Sequence, residues 1–314
     1  MGQGILSGES GDKSLGNFCR ALNLWPTHGG QRLTLSGGSR AMVGNDFSFA
    51  TFSKNEFYST LNARLVDMAD VSSDRRIVDL ACGAGGVTRL ILERINRTKD
   101  TVVIALDHSS VALKTAMEDL KDISNNAVKF VQLGVENVSD AVKESVDTIV
   151  FCNAIHYVPD KDAVVSDIAN ALRPGGKFAF NTSFYEGGQH EDSTAFYSKW
   201  MLKAMRILRK EYGLKPQRSG EKVESRKQLT PDDYGNLMER NGLTIVRQSV
   251  DTVPVPIEGW LDISTFSDFI EGTMPGVPFA KASAALQKGV RQTYEEMGVT
   301  HVPRNWLDVV AVKS

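Results

Sequence analysis

From Asn55 onward the apolar residues fall into a regular spacing: Phe57, Leu61, Leu65 and Met68 recur at helical intervals up to the turn-prone Ser72-Ser73-Asp74. A helix is therefore predicted ahead of the first strand. The next segments alternate: a strand at Ile77-Val78-Asp79-Leu80, a helix over about 87–95, a strand over 102–106, a helix over 111–120 and a strand over 128–133. Strands at 148–151 and 177–184 follow, with a helix over about 163–172 between them. Short apolar runs alternating with amphipathic helices predict an α/β chain, built on a parallel sheet covered on both faces. Ligands of such sheets sit at the carboxyl ends of the strands, beside a topological switch point. The punctuation agrees, since Ser109 and Ser110 can cap the helix at Val111, and Arg173-Pro174-Gly175-Gly176 closes the helix before it.

Two more strands are predicted at 243–250 and 307–312, the first after a helix starting near Thr230-Pro231-Asp232. The stretches at about 185–229 and 251–305 are too long for simple connections and read as inserted, mainly helical elements forming a lid. In the first, Tyr197, Trp200, Met201, Ala204, Met205 and Leu208 make one helical face, with Lys199, Lys203, Arg206, Arg209 and Lys210 around the rest. In the second, Trp260, Phe266, Phe269, Met274 and Phe279 precede a helix over about 281–297. Residues 1–54 form a Gly/Ser-rich lead-in, and residues 55–314 the main domain.

Composition narrows the function. The chain has 314 residues, 41% of them hydrophobic, and a formal net charge of −2, which provides for a large core and gives no global basic excess for a phosphate polymer. No apolar run is long enough to span a bilayer, and the N-terminal residues show no secretory pattern, so a cytoplasmic protein is expected. Cys19, Cys82 and Cys152 share no CxxC spacing, and no His/Cys/Asp cluster has the spacing of metal ligands.

The most informative segment is Val78-Asp79-Leu80-Ala81-Cys82-Gly83-Ala84-Gly85-Gly86, where an apolar strand turns into a helix. Gly83, Gly85 and Gly86 allow close backbone approach and positive φ, and the helix offers its N-terminal amides, as a nucleotide-cofactor turn requires. Asp107 ends the second strand, where a carboxylate can accept from both ribose hydroxyls. A dinucleotide would place its pyrophosphate against Asp79, an unfavourable pairing, whereas a ligand with an ammonium and a sulfonium suits that carboxylate. Thr88 also stands where the dinucleotide fingerprint wants Gly or Ala. After the fourth strand, Asn153 can meet the cofactor, and His156 is the candidate general base.

With Ala105-Leu106-Asp107-His108-Ser109 and Leu172-Arg173-Pro174-Gly175-Gly176-Lys177 added to the glycine turn, the sequence resembles the class I S-adenosylmethionine-dependent methyltransferases. The resemblance covers roughly 55–250 and the final strand. It implies a Rossmann-like, doubly wound seven-stranded sheet whose last strand is antiparallel, with S-adenosyl-L-methionine as cofactor. It further implies that the turn from Asp79 through Ala81, Cys82 and Gly83 to Gly85 faces the methionine part, that Asp107 holds the ribose, and that His108 lies against the adenine. The family's adenine-binding Asp after the third strand is missing. Gly134 or Val135 takes its place, leaving backbone groups or Glu136 to serve, and Ala81 replaces the first Gly of the turn.

Asn153-Ala154-Ile155-His156 differs from the elements of amino-methylating and cytosine-C5 DNA enzymes, which disfavours nucleic acid. The expected reaction is transfer of a methyl group to an O, C or N atom of a small, fairly apolar acceptor, for instance in secondary metabolism. Trp200, Met201, Met205, Trp260, Phe266, Phe269 and Phe279 are candidates for the apolar lining. The alternatives are a cofactor-binding cyclase, a binding-only relative and an NAD-dependent dehydrogenase. Acceptor identity and oligomeric state have no sequence signal.

Overall fold

The structure is a computed structural model that describes residues 49–96, 100–123, 127–217 and 228–314, so most of the lead-in lies outside the described residues. Seven strands form one sheet: β1 (Arg76–Leu80), β2 (Val102–Asp107), β3 (Val128–Gln132), β4 (Val146–Cys152), β5 (Leu172–Thr182), β6 (Leu243–Pro256) and β7 (His301–Lys313). Their order is β3-β2-β1-β4-β5-β7-β6. β1 to β5 are mutually parallel where they pair, and β7 runs antiparallel to both β5 and β6. The chain progresses outward from β1 in one direction and from β4 in the other. The switch point therefore lies between β1 and β4, with Leu80 and Cys152 at their carboxyl ends.

Each sheet face is sealed by apolar residues from the amphipathic helices. On one face Leu80, Leu106, Phe151, Phe178 and Phe180 pack with Ile168, Leu237 and Met238; on the other, Ile77, Val103, Val150 and Ala179 pack with Leu65, Ile91 and Leu92. The central strands read as apolar runs because both of their faces are buried. Helix starts follow local chemistry: Ser109 accepts from the Ala112 amide, Asp160 from Ala163, and Thr230 with Asp233 forms a reciprocal capping box.

A third cluster lies beyond the sheet. Phe196, Trp200 and Leu208 of the helix Thr194–Tyr212 pack with Trp260 of Ile257–Ile263, with Leu286 and Val290 of Phe279–Met297, and with Trp306 of β7. The Trp200 indole donates to the Leu286 carbonyl at 2.9 Å, and Gly289 lets the two long helices close, since a Cβ there would stand 3.1 Å from Ala204.

The structure differs from the sequence reading in three places. Residues 49–54 belong to the folded part, because Ala50–Ser53 is a short helix and Phe49 and Phe52 pack on Tyr58. The stretch 251–305 is not helical throughout: β6 and β7 stay paired out to Pro256 and His301, well past the Thr182–Leu307 pair that ends β5. Leu172, read as helical, already pairs with Val146 and opens β5.

Candidate functional site

The turn after β1 follows directly from its residue types. Ala81, Gly83 and Gly85 all have positive φ, at 57°, 53° and 84°. Gly86, expected to share that conformation, instead opens the helix Gly86–Arg94, and Ala81 carries the third positive φ despite its methyl group. A non-glycine residue held there is the kind of local strain found at binding turns. A Cβ at Gly83 or Gly86 would meet no atom within 4 Å, so open space lies over both, whereas one at Gly85 would press on Leu120 and Ala116. Gly83 and Gly86 are thus open on one side, while Gly85 packs against the helix Ser110–Leu120.

Asp107 braces this turn from the neighbouring strand. Its two carboxylate oxygens accept from the Gly83 amide at 2.9 Å and the Ser109 amide at 2.8 Å, and Cys82 donates to the Leu106 carbonyl at 2.9 Å. Each carboxylate oxygen retains acceptor capacity for a ligand hydroxyl. His108 stands exposed, its Nδ1 3.5 Å from Asp107. Asp79 is buried at the end of β1 and accepts from the Thr88 hydroxyl at 2.5 Å; burial pushes its carboxyl up to about 7. Thr88, which broke the dinucleotide fingerprint, is therefore the partner of Asp79.

After β3, Gly134 is extended and Val135–Asn137 makes a single tight turn. A Cβ on Gly134 would run into the Glu136 carboxylate, so that carboxylate folds back over Gly134. The Glu136 carboxylate thus occupies the position that a side chain on Gly134 would take.

Asn153, at the end of β4, has φ 47°; its amide donates to Asn181 Oδ1 at 2.8 Å, and its own Oδ1 accepts from the Ser183 amide at 3.3 Å. Asn181 donates in turn to Asn62 at 3.0 Å, and Tyr58 is buried on the same helix, its hydroxyl pushed well above the usual range chiefly by burial. Tyr58, Asn62 and Asn181 were missed in the sequence, because polar residues on separate elements acquire meaning only through tertiary packing. The nearest signal was Asn181 inside an apolar strand.

His156 is buried, with Nδ1 3.0 Å from the Thr182 hydroxyl and its ring against Tyr157 and Phe184. Burial, reinforced by Lys161 and Arg304, holds its pKa well below the ordinary imidazole value, so it is uncharged at neutral pH. Phe184 lines a cavity that begins at Asn153 and Ser183 and is walled by Tyr197, Trp260, Phe269, Arg304 and Trp306. Of the aromatic and methionine candidates, Trp260 and Phe269 line this cavity, Trp200 and Met201 are buried in the helical core, and Met205, Phe266 and Phe279 pack against that core.

The profile of a family described as a methyltransferase domain matches residues 78–178, from β1 through the middle of β5. The chain is similar to a ubiquinone biosynthesis O-methyltransferase of Idiomarina loihiensis, 28% identical over 108 residues, covering 34% of this chain and 42% of that one. It is also similar to a sterol 24-C-methyltransferase of Clavispora lusitaniae, 26% identical over 140 residues, covering 43% of this chain and 36% of that one. The matched part thus spans about half or less of the length of these curated relatives. Among solved structures, a protein from Bacillus halodurans C-125 shares the fold, with a TM-score of 0.51 at 15% identity over 81% of this chain and 99% of that one. Among the described residues, no helix is long and apolar enough to cross a membrane.

Proposed function

We propose, on the premise that residues 78–178 form a class I methyltransferase domain, that this chain methylates an O, C or N atom of a small, fairly apolar acceptor in the cytoplasm, with S-adenosylmethionine as donor and no role for nucleic acid. The observation that carries the reading is the Asp107 brace: one carboxylate holds the glycine turn open beneath free space and keeps acceptor capacity for a ribose. A donor bound there supplies an electrophilic methyl group on a sulfonium.

The residues divide the work. The turn from Asp79 through Ala81, Cys82 and Gly83 to Gly85 receives the methionine part, and the Asp79 carboxylate is positioned for its ammonium. Asp107 takes the ribose hydroxyls. His108, Gly134, Val135 and Glu136 border the adenine, with the folded-back Glu136 carboxylate as acceptor for the amino group. Asn153 stands between this half of the site and the aromatic cavity. That cavity aligns the acceptor and excludes water, which accounts for most of what a transferase must supply. Where the accepting atom carries a proton, His156 is the assigned base; it is neutral, held by Thr182, and lies behind Phe184, which lines the cavity.

Calorimetric titration with S-adenosylmethionine, its demethylated product and NADH tests the reading. Binding of the first two with a silent NADH titration is expected, followed by methyl consumption with an acceptor. NADH binding alone would reinstate the dehydrogenase, and cofactor binding without methyl consumption over a broad acceptor set would favour the cyclase or the binding-only relative.

A further inference from the structure

The aromatic cavity contains a cation that the fold leaves without a counter-charge. Arg304 lies near the start of β7, where Gln189 bridges it and Asn305 is bonded to Gly188, so its backbone is fixed on both sides of the loop after β5. Its guanidinium donates to the Tyr197 hydroxyl at 2.7 Å and to the Ser183 carbonyl at 2.7 Å, and lies 6.0 Å from the Tyr197 ring centre. Both partners are neutral, and among the described residues no carboxylate pairs with it.

A guanidinium has five N–H donors and no acceptor, so two bonds leave three donors for something else. Trp306 lines the same cavity with a buried indole N–H that has no protein partner. A half-buried cation and an unpartnered buried donor lining one cavity together leave donor capacity that suits an anionic ligand. Everything they offer is a donor; the Phe184 and Phe269 rings beside them are apolar, and the Trp260 indole brings a further buried N–H.

We infer that the acceptor carries an anionic oxygen, a carboxylate or an ionised acidic hydroxyl, on a flat apolar frame, and that Arg304 is the residue that selects it, with the Trp306 N–H as a second donor. The inference rests on the methyltransferase reading for the word acceptor, while the anion site stands on its own geometry. Arginine suits the task because its planar fork pairs with an oxyanion through two parallel bonds and cannot lose its charge. A purely apolar acceptor would leave that charge facing hydrocarbon.

The test is ligand-observed NMR titration of the full chain at constant ionic strength, using benzoate, its neutral counterpart benzamide, and 4-nitrophenolate, each with and without S-adenosylhomocysteine. Benzoate or 4-nitrophenolate is expected to bind at least tenfold more tightly than benzamide, and the better of the two distinguishes a carboxylate from an ionised hydroxyl. Arg304→Gln is expected to abolish the preference, while Arg304→Lys, which retains charge but not the fork, keeps part of it and controls for folding. Equal binding of benzoate, 4-nitrophenolate and benzamide, no binding of either anion, or a preference that survives Arg304→Gln would overturn the proposal. S-adenosylhomocysteine binding, measured on the same samples, is independent: its loss with the anion preference intact would remove the transferase reading alone.

Discussion

The Asp107 carboxylate accepts the amide hydrogen of Gly83 at 2.9 Å, tying the end of β2 to the turn that follows β1. One side chain therefore shapes the turn and also keeps acceptor capacity on both oxygens, which the proposed function gives to a ribose. Asp107→Ala removes both, and S-adenosylmethionine affinity is expected to fall by about 1.5 to 3 kcal/mol, read by calorimetry. Unchanged affinity would show that the donor binds elsewhere.

If Asp79 receives the donor's ammonium as proposed, binding is expected to depend on pH. Burial raises its carboxyl from 3.8 to about 7, so in the ligand-free protein its contribution to stability is greatest at low pH and is lost as pH rises through about 7. Under the proposed function an ammonium seats against the ionised form, so the proton must leave first. Affinity for S-adenosylmethionine is expected to climb by up to about tenfold per pH unit between pH 5 and 7 and then level off. Asp79→Asn should flatten that profile and weaken binding at pH 8; a wild-type profile already flat from pH 5 would disprove the assignment.

His156 is kept uncharged by burial, so any acidic limb that it contributes to the rate falls below pH 6.5 rather than at it. With an acceptor that must lose a proton, His156→Gln is expected to lower kcat by about 10²-fold and to erase that limb. A variant with wild-type kcat and pH dependence would reduce the ring to support for Phe184.

Arg64 donates to the fully buried Asp308 at 3.0 and 2.6 Å and also reaches Asp251 at 3.1 Å, joining the helix Glu56–Ala69 to β6 and β7. Burial pushes the Asp308 carboxyl up to about 6 even with this partner. Arg64→Met strands the charge, and urea unfolding at pH 8 should show a loss of about 3 kcal/mol. The loss should shrink at pH 5.5, where the carboxyl takes up a proton, and Asp308→Asn in the same chain should restore most of it.

The glycine turn, Asp107 and the parallel sheet were legible because each is written locally: apolar runs, helix caps and residues that tolerate unusual φ. Arg304, Tyr58, Asn62 and Asn181 were not. Arg304 meets Ser183 across 121 positions of chain, and only the antiparallel register of β5 against β7 brings them together. The outer halves of β6 and β7 did carry a signal, since Thr252-Val253-Pro254-Val255 alternates with period two. Length favoured reading that stretch as inserted helix; the structure keeps Pro254 in β6, on the edge strand of the sheet, where a missing N–H is tolerated. His156 shows the reverse limit, because its residue type suggested a base but only packing shows how deeply the ring is covered.

The paired stems of β6 and β7 give this chain a modular seam. Everything from 257 to 300 leaves the sheet at Pro256 and rejoins it at His301, two residues that face each other across the ribbon. Exchange of that segment for one of different length or composition would reshape the wall around the acceptor while the strands beneath the donor kept their register. Under the proposed function, the part of the chain that chooses the acceptor can therefore change without disturbing the part that holds the donor.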